Sequence, residues 1–327
     1  MSGDTCRAAA CTAVVLALGL GCAGGAADRS ADARSELRLV VVTHGQSSDP
    51  FWSVVANGIG DAADDLGVRV EYQAPVTFDM VRMSQLIDAA VASRPSGLLV
   101  SVPDADALRG SIRQALQVGI PVLSLNSGAE VWESLGLLAH IGQPEYDAAH
   151  AGGERLAGAG ARHALCVNHE VGNVSLDERC RGLRAALEAA GGRATVLSVD
   201  LADPDDAQQR VANAVRSDPS IDGVLTLGPA GAVPTLAALS EAGRLGDVAF
   251  GTFDLQADIL AAVRDREMLF AIDQQPYLQG YLGVTLMVKY LETGAIPGGG
   301  EIIRTGPAFV MRANAAQVMR LAADGIR

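Results

Sequence analysis

A chain of 327 residues is long enough for about two domains at ~150 residues each, and 49% hydrophobic with 19% charged residues supports buried cores rather than a disordered chain. A formal net charge of −13 argues against a nucleic-acid backbone or an anionic membrane surface as the main partner, since both are met with an excess of Lys and Arg. No apolar run after residue 25 reaches the ~18 residues of a membrane span.

Arg7 precedes the apolar stretch Ala8 to Leu20, too short to span and about right for a signal-peptide core, so residues 1–21 read as a signal. The stretch ends Leu18-Gly19-Leu20-Gly21-Cys22. It resembles a bacterial lipobox, in which the Cys is lipidated and becomes the new N-terminus, although Gly19 stands where Leu is usual. Cleavage after Ala27, giving a freely secreted protein, is the alternative. Residues 22–36 read as a tether rich in Ala, Gly and Ser. Cys6 and Cys11 leave with the signal and Cys22 is the lipidation candidate. Cys166 and Cys180 remain, outside the cytoplasm, as a possible disulfide or as two buried thiols.

From residue 37 onward, short β-rich runs alternate with helical patterns. Strands are expected at Leu37–Thr43, Val68–Tyr72, Gly97–Val102, Pro121–Leu125 and Leu137–Ile141. A second set follows at His163–Asn168, Thr195–Asp200, Gly223–Leu227, Val248–Phe253 and Leu269–Ile272. Runs such as Leu39-Val40-Val41-Val42 are apolar at every position, as strands covered on both faces require. Helices are expected at Val54–Leu66, Met80–Ser93 and Asp104–Val118, with capping Asp or Thr before two of them and Gly67 and Gly119 after the first and third. This alternation implies right-handed crossovers and doubly wound parallel sheets. Residues 96–127 and 222–254 repeat one strand–helix–strand pattern at nearly the same offset, Gly97 to Gly223 and Asn126 to Asp254. The fold expected is therefore α/β, with two doubly wound lobes and a cleft at the carboxyl ends of their strands.

Those strand ends carry the candidate site. The first strand runs into His44 and then Asp49-Pro50-Phe51-Trp52. Ser101 lies near the end of the third, and the fourth leads into Asn126-Ser127 and on to Trp132. The second lobe offers Asn173 to Arg181, then Asp254 and Gln274. Aromatic faces against the C–H face of a ring, with carboxylates, amides and a guanidinium for the hydroxyls, suit an uncharged polyhydroxylated ligand. Each residue also has a plainer reading: Phe51 and Trp52 as core, Asp254 as a helix cap. No P-loop, Gly-x-Gly-x-x-Gly after the first strand, or Gly-x-Ser-x-Gly occurs. His169-Glu170 opens like a zinc-protease motif, but position 173 is Asn rather than the second His. No cofactor or metal is expected, and no catalytic constellation.

At these residues the chain resembles the periplasmic sugar-binding proteins of ABC importers, in the ribose-binding group of the type I fold. The resemblance covers nearly all of residues 37–311. It rests on Asp49-Pro50-Phe51-Trp52 with Gly58, Gly119-Ile120-Pro121-Val122 leading to Asn126-Ser127, Ile141-Gly142-Gln143, Asp177 to Gly182, Gly251-Thr252-Phe253-Asp254 and Asp273-Gln274-Gln275-Pro276. It implies that Phe51 and Trp52 flank a sugar, that Arg179 is the cleft arginine, Asp254 the second-lobe carboxylate and Gln274 the amide near the hinge. Asn126 stands where the family usually has Asp, and Gly228-Pro229 where Asn is common, so a sugar other than ribose or a polyol is equally consistent. The resemblance further implies three interlobe crossings, with lobes of residues 37–141 plus 275–304 and 142–273 plus 307–327. It also implies a monomer that delivers its ligand to an ABC permease from the periplasm or the outer face of the cytoplasmic membrane. A sensor handing its closed form to a membrane receptor, or an enzyme on the same scaffold, are the competing readings.

Overall fold

The computed structural model describes residues 34–45, 49–200 and 203–327; the signal segment, Cys22 and most of the tether lie outside the described residues. Two six-stranded sheets organise the chain. The first runs, edge to edge, β2 (Arg69–Gln73), β1 (Arg38–Val42), β3 (Gly97–Val100), β4 (Val122–Leu125), β5 (His140–Gly142) and β11 (Ile302–Arg304), all parallel. The second runs β7 (Arg193–Ser198), β6 (His163–Asn168), β8 (Gly223–Thr226), β9 (Ala249–Phe253), β10 (Phe270–Asp273) and β12 (Ala308–Met311), parallel except for β12 against β10. The helices are α1 (Pro50–Leu66), α2 (Met80–Ala92), α3 (Ala105–Gln117), α4 (Glu145–Gly158), α5 (Val174–Ala189), α6 (Pro204–Ser217), α7 (Pro229–Glu241), α8 (Ala257–Asp265), α9 (Pro276–Thr293) and α10 (Arg312–Ala323).

The apolar run of β1 shows why the sheets are buried on both faces. Leu39 and Val41 enter the core beneath α1 and α9, while Val40 and Val42 enter the one beneath α2 and α3. A period of two sends successive side chains to opposite faces, so both faces need helices. The second sheet repeats the plan with its own two cores. The chain leaves the first sheet after Gly142, returns after Asp273 and leaves it again after Arg304.

Three expectations are corrected. Helix α1 begins at Pro50, not Val54, because Asp49 caps it through the Phe51 N–H (2.9 Å) and Pro50 takes the first position, where a missing N–H costs nothing. Strand β5 is short and starts at His140; Leu137–Ala139 are not strand residues. Strand β7 lies two residues early, at Arg193–Ser198, because pairing with β6 sets its register (His163 opposite Arg193), and an edge strand of mixed polarity has little pattern of its own. Strands β11 and β12, short edge strands late in the chain, have no counterpart among the expected ones.

Each lobe holds a helix pair at backbone contact. A Cβ on Gly58 of α1 would lie 2.0 Å from the Tyr277 carbonyl oxygen of α9, and one on Gly182 of α5 would lie 2.2 Å from that of Tyr146 in α4. Only a residue without a side chain permits that approach. A disulfide between Cys166 of β6 and Cys180 of α5, Cα atoms 5.6 Å apart, ties α5 to the sheet. It spans a sequence separation of 14 residues, and such a closure constrains the unfolded chain by about 3 kcal/mol. The Cys166→Ser/Cys180→Ser double variant should therefore lose roughly that much unfolding free energy, read by denaturant titration, and added reductant should weaken the wild type but not the variant.

Candidate functional site

A cavity of about 360 Å³ lies between the lobes, at the carboxyl ends of both sheets. It is within the range of small-molecule sites. From the first lobe it is lined by His44, Asp49, Pro50, Phe51, Trp52, Asn126 and Ser127; from the second by residues that include His169, Glu170, Asn173, Arg179, Gly228 and Asp254, with Gln274 at a crossing.

Local structure aims these groups. Asn126 follows β4 and Asp254 follows β9. Both have a φ of 65°, and the N–H of each donates to a neighbouring strand at 2.8 Å, Asn126 to Ile141 O and Asp254 to Ile272 O. Asn and Asp are the non-glycine residues that most readily adopt this left-handed conformation. The two lobes thus use one device to turn a polar side chain into the cleft. The Asn126 amide donates to Gln274 Oε1 (3.2 Å) and Gln279 Oε1 (3.3 Å), and its oxygen accepts from Ser127 Oγ (3.0 Å). Gln274 Nε2 donates to Asp254 Oδ1 at 2.6 Å. One chain of hydrogen bonds therefore crosses from lobe to lobe.

Arg179 anchors the other wall. It is 3% exposed, donates through Nε and Nη2 to both oxygens of Glu145 (2.6 and 3.0 Å) and through Nη1 to Leu227 O (2.8 Å), and stacks over the Phe253 ring at 4.1 Å. The planar fork of guanidinium on carboxylate is the geometry in which a buried pair holds together. Gln143 Nε2 adds a third hydrogen bond to Glu145 (2.9 Å).

His44 faces the second lobe. Its backbone N–H donates to Ser101 Oγ (2.9 Å), whose proton is assigned to His44 Nδ1 (2.8 Å), leaving the ring proton on Nε2, 4.0 Å from Glu170 Oε2. The ring packs edge-on to Trp52 and Phe78. Burial, helped by the nearby Arg179, pushes His44 down to about 3 and His169 down to about 4, so both rings are neutral. Burial pushes Asp254 up to about 7, against the pull of Arg179 and the Gln274 hydrogen bond. Glu170 is likewise held at about 7, mainly by burial, despite a hydrogen bond from Asn173 Nδ2 (2.8 Å). Asp49 is raised by burial as well.

Two expected site residues sit elsewhere. Ser101 is fully buried behind His44, which it orients, and does not line the cavity. Trp132 is not in the cleft. Gly128 (φ 116°) turns the chain away after Ser127, and Trp132 packs at the margin of the core beneath α2 and α3, near Gly300. Sequence reasoning missed Glu170 and His169 as cleft residues and Glu145 as the partner of Arg179. The first two stand directly after β6, the place where a parallel strand delivers side chains to a site, and that position was a usable signal. Glu145 carried none, since its partner is 34 residues away.

The model of the periplasmic binding protein domain family matches residues 39–295. The chain belongs to this periplasmic binding protein family. Among solved structures, a carbohydrate transporter of Acidothermus cellulolyticus 11B in complex with myo-inositol is 36% identical, with a TM-score of 0.84 over 89% of this chain and 99% of that one. The xylose/arabinose-binding protein of Sulfolobus acidocaldarius is 27% identical over 85% of this chain and 71% of its own length. The ribose import binding protein of Escherichia coli is 26% identical over 80% of this chain and 87% of its own. Members of this family work outside the cytoplasm, and no helix among the described residues is long and apolar enough to cross a membrane.

The raised acids of this binding protein give a pH dependence with a definite sign. Asp254 holds a proton in the folded state up to about 7, whereas unfolded it releases it near 3.8. Folding therefore binds a proton between those values, and this group's contribution to stability falls as pH rises through the window. For ligand-free protein, Asp254→Asn should gain stability relative to wild type from pH 5 to pH 8; chemical unfolding of both proteins at the two pH values reads the difference.

Proposed function

We propose that this periplasmic binding protein captures a small polyhydroxylated ring, a sugar or cyclic polyol, between its lobes and hands it to an ABC permease as a monomer. The observation that carries this reading is the pairing, across one cavity, of Phe51 and Trp52 with the Asn126–Gln274–Asp254 hydrogen-bond chain and Arg179. Rings cover the apolar face of such a ligand and fixed acceptors and donors meet its rim. The myo-inositol in the Acidothermus relative, and the pentoses named for the curated relatives, are ligands of this kind. Residues 37–141 with 275–304 would move against 142–273 with 307–327, and ligand bound to both would favour the closed arrangement. A direct hydrogen bond also joins the two sets of residues, the Val174 N–H donating to Pro103 O at 3.0 Å.

Calorimetric titration with a panel of monosaccharides and inositols tests this. Asp254→Ala should weaken the best ligand about five- to 150-fold, the cost of leaving its hydroxyls and Gln274 unpaired being roughly 1–3 kcal/mol. Wild-type protein that binds none of the panel would refute the reading. Arg179→Ala strands the buried Glu145 carboxylate and should cost about 3–5 kcal/mol of stability. The chain would be held at the membrane by lipid on Cys22; Cys22→Ser expressed in a bacterial host should then lose fatty-acid labelling and appear in the soluble extracytoplasmic fraction, whereas an unchanged distribution would favour free secretion.

A further inference from the structure

Charge in the cleft is out of balance. Among the described residues that line it, Arg179 is the one permanent cation, and both oxygens of Glu145 already match it. His44 and His169 are neutral. Against this stand three carboxyl groups: Asp49 from the first lobe, Glu170 and Asp254 from the second. One oxygen of each is engaged by the protein, Asp49 Oδ1 by the Phe51 N–H (2.9 Å), Glu170 Oε2 by Asn173 (2.8 Å) and Asp254 Oδ1 by Gln274 (2.6 Å). The second oxygen of each has no hydrogen-bond partner among the described residues. All three line the one cavity between the lobes.

A neutral polyol supplies hydroxyl donors to such a wall but leaves its charge unmatched. Buried like charges without a counterion must keep protons or recruit a cation. An ammonium group on the ring supplies three donors and the missing charge from one atom, and it is compact enough to sit among three acceptors. Resting on the polyhydroxylated-ring reading above, we propose that the preferred ligand carries one protonated amine, making it an amino sugar or an aminocyclitol, with the amine held by Asp49, Glu170 and Asp254. Such a ligand keeps the polyhydroxylated ring and adds one positive charge to it. An anionic ring, such as a sugar acid or phosphate, would be repelled by the same three groups.

The test compares matched pairs by calorimetric titration of the mature protein: glucosamine with glucose, galactosamine with galactose, and an amino-deoxy-inositol with myo-inositol. N-acetylglucosamine is the control that keeps the nitrogen and removes the charge. At pH 7.5 the amine of at least one pair should bind ten times tighter or more than its hydroxyl partner, and the acetylated control should lose that gain. At pH 5 the preference should shrink toward unity, because Glu170 and Asp254, which share the cleft with Asp49, His44, His169 and Arg179 on its partner Glu145, then carry protons. Glu170→Gln should reduce the amine-over-hydroxyl preference at pH 7.5. Equal or tighter binding of every hydroxyl partner at pH 7.5 would overturn the amine proposal and leave the polyol reading standing. An amine preference unaltered in Asp49→Asn, Glu170→Gln and Asp254→Asn alike would overturn it too. Binding of neither member of any pair would overturn the amine proposal, while the polyol reading stands or falls on the wider panel above.

Discussion

The cleft depends on the buried ion pair between Arg179 and Glu145. Two charges taken out of water are costly unless geometry and further hydrogen bonds compensate them. Here both carboxylate oxygens take guanidinium N–H groups, Gln143 adds a third donor, and Leu227 O and the Phe253 ring receive the rest of the cation. The pair links the first turn of α4 to α5, the helix that Gly182 allows to lie against α4 and that the disulfide ties to β6. Glycine contact, disulfide and ion pair all act on one helix–helix–strand junction. Its product is a cation fixed at the cleft wall with little freedom left to lose when a ligand arrives, which is the economy that preorganisation offers.

The same junction explains the electrostatics around it. Because Glu145 cancels Arg179 at short range, the guanidinium only partly offsets the burial of Asp254 and Glu170, and both are held at about 7. Burial acts oppositely on bases, and His44 and His169 stay neutral. The cavity is therefore rich in acceptors and poor in free cations, a property that bears on which ligand it selects more than on how tightly the lobes fold.

Internal duplication supplies the second wall. Asn126 and Asp254 occupy equivalent places after equivalent strands, share a left-handed backbone, and point toward one another through Gln274. The lobes meet through this chain, through Val174 with Pro103, and through the Asn57 amide donating to Gly325 O. A contact made by both lobes exists only when they approach, so a ligand bridging the same surfaces favours that approach.

Much of this was legible before any coordinates. Continuous apolar runs such as Leu39 to Val42 specified strands buried on both faces, and the recurring strand–helix–strand pattern specified twin lobes with a cleft at their strand ends. Phe51, Trp52, Asn126, Asp254 and Gln274 were found because they follow strands or open helices, while Arg179, inside its helix, was picked out by the family resemblance. Only the tertiary structure decided what depends on residues far apart in the chain. Glu145 partners an arginine 34 positions on, and Asn126 meets a glutamine 148 positions on. A single positive φ at Gly128 carries Trp132 out of the cleft that its place in the sequence suggested. The register of β7 and the existence of β11 and β12 likewise follow from pairing with distant strands. Periodicity and capping are short-range and are written in neighbouring residues; pairing across lobes, burial of charge and the pKa values that follow arise only when the whole chain is folded.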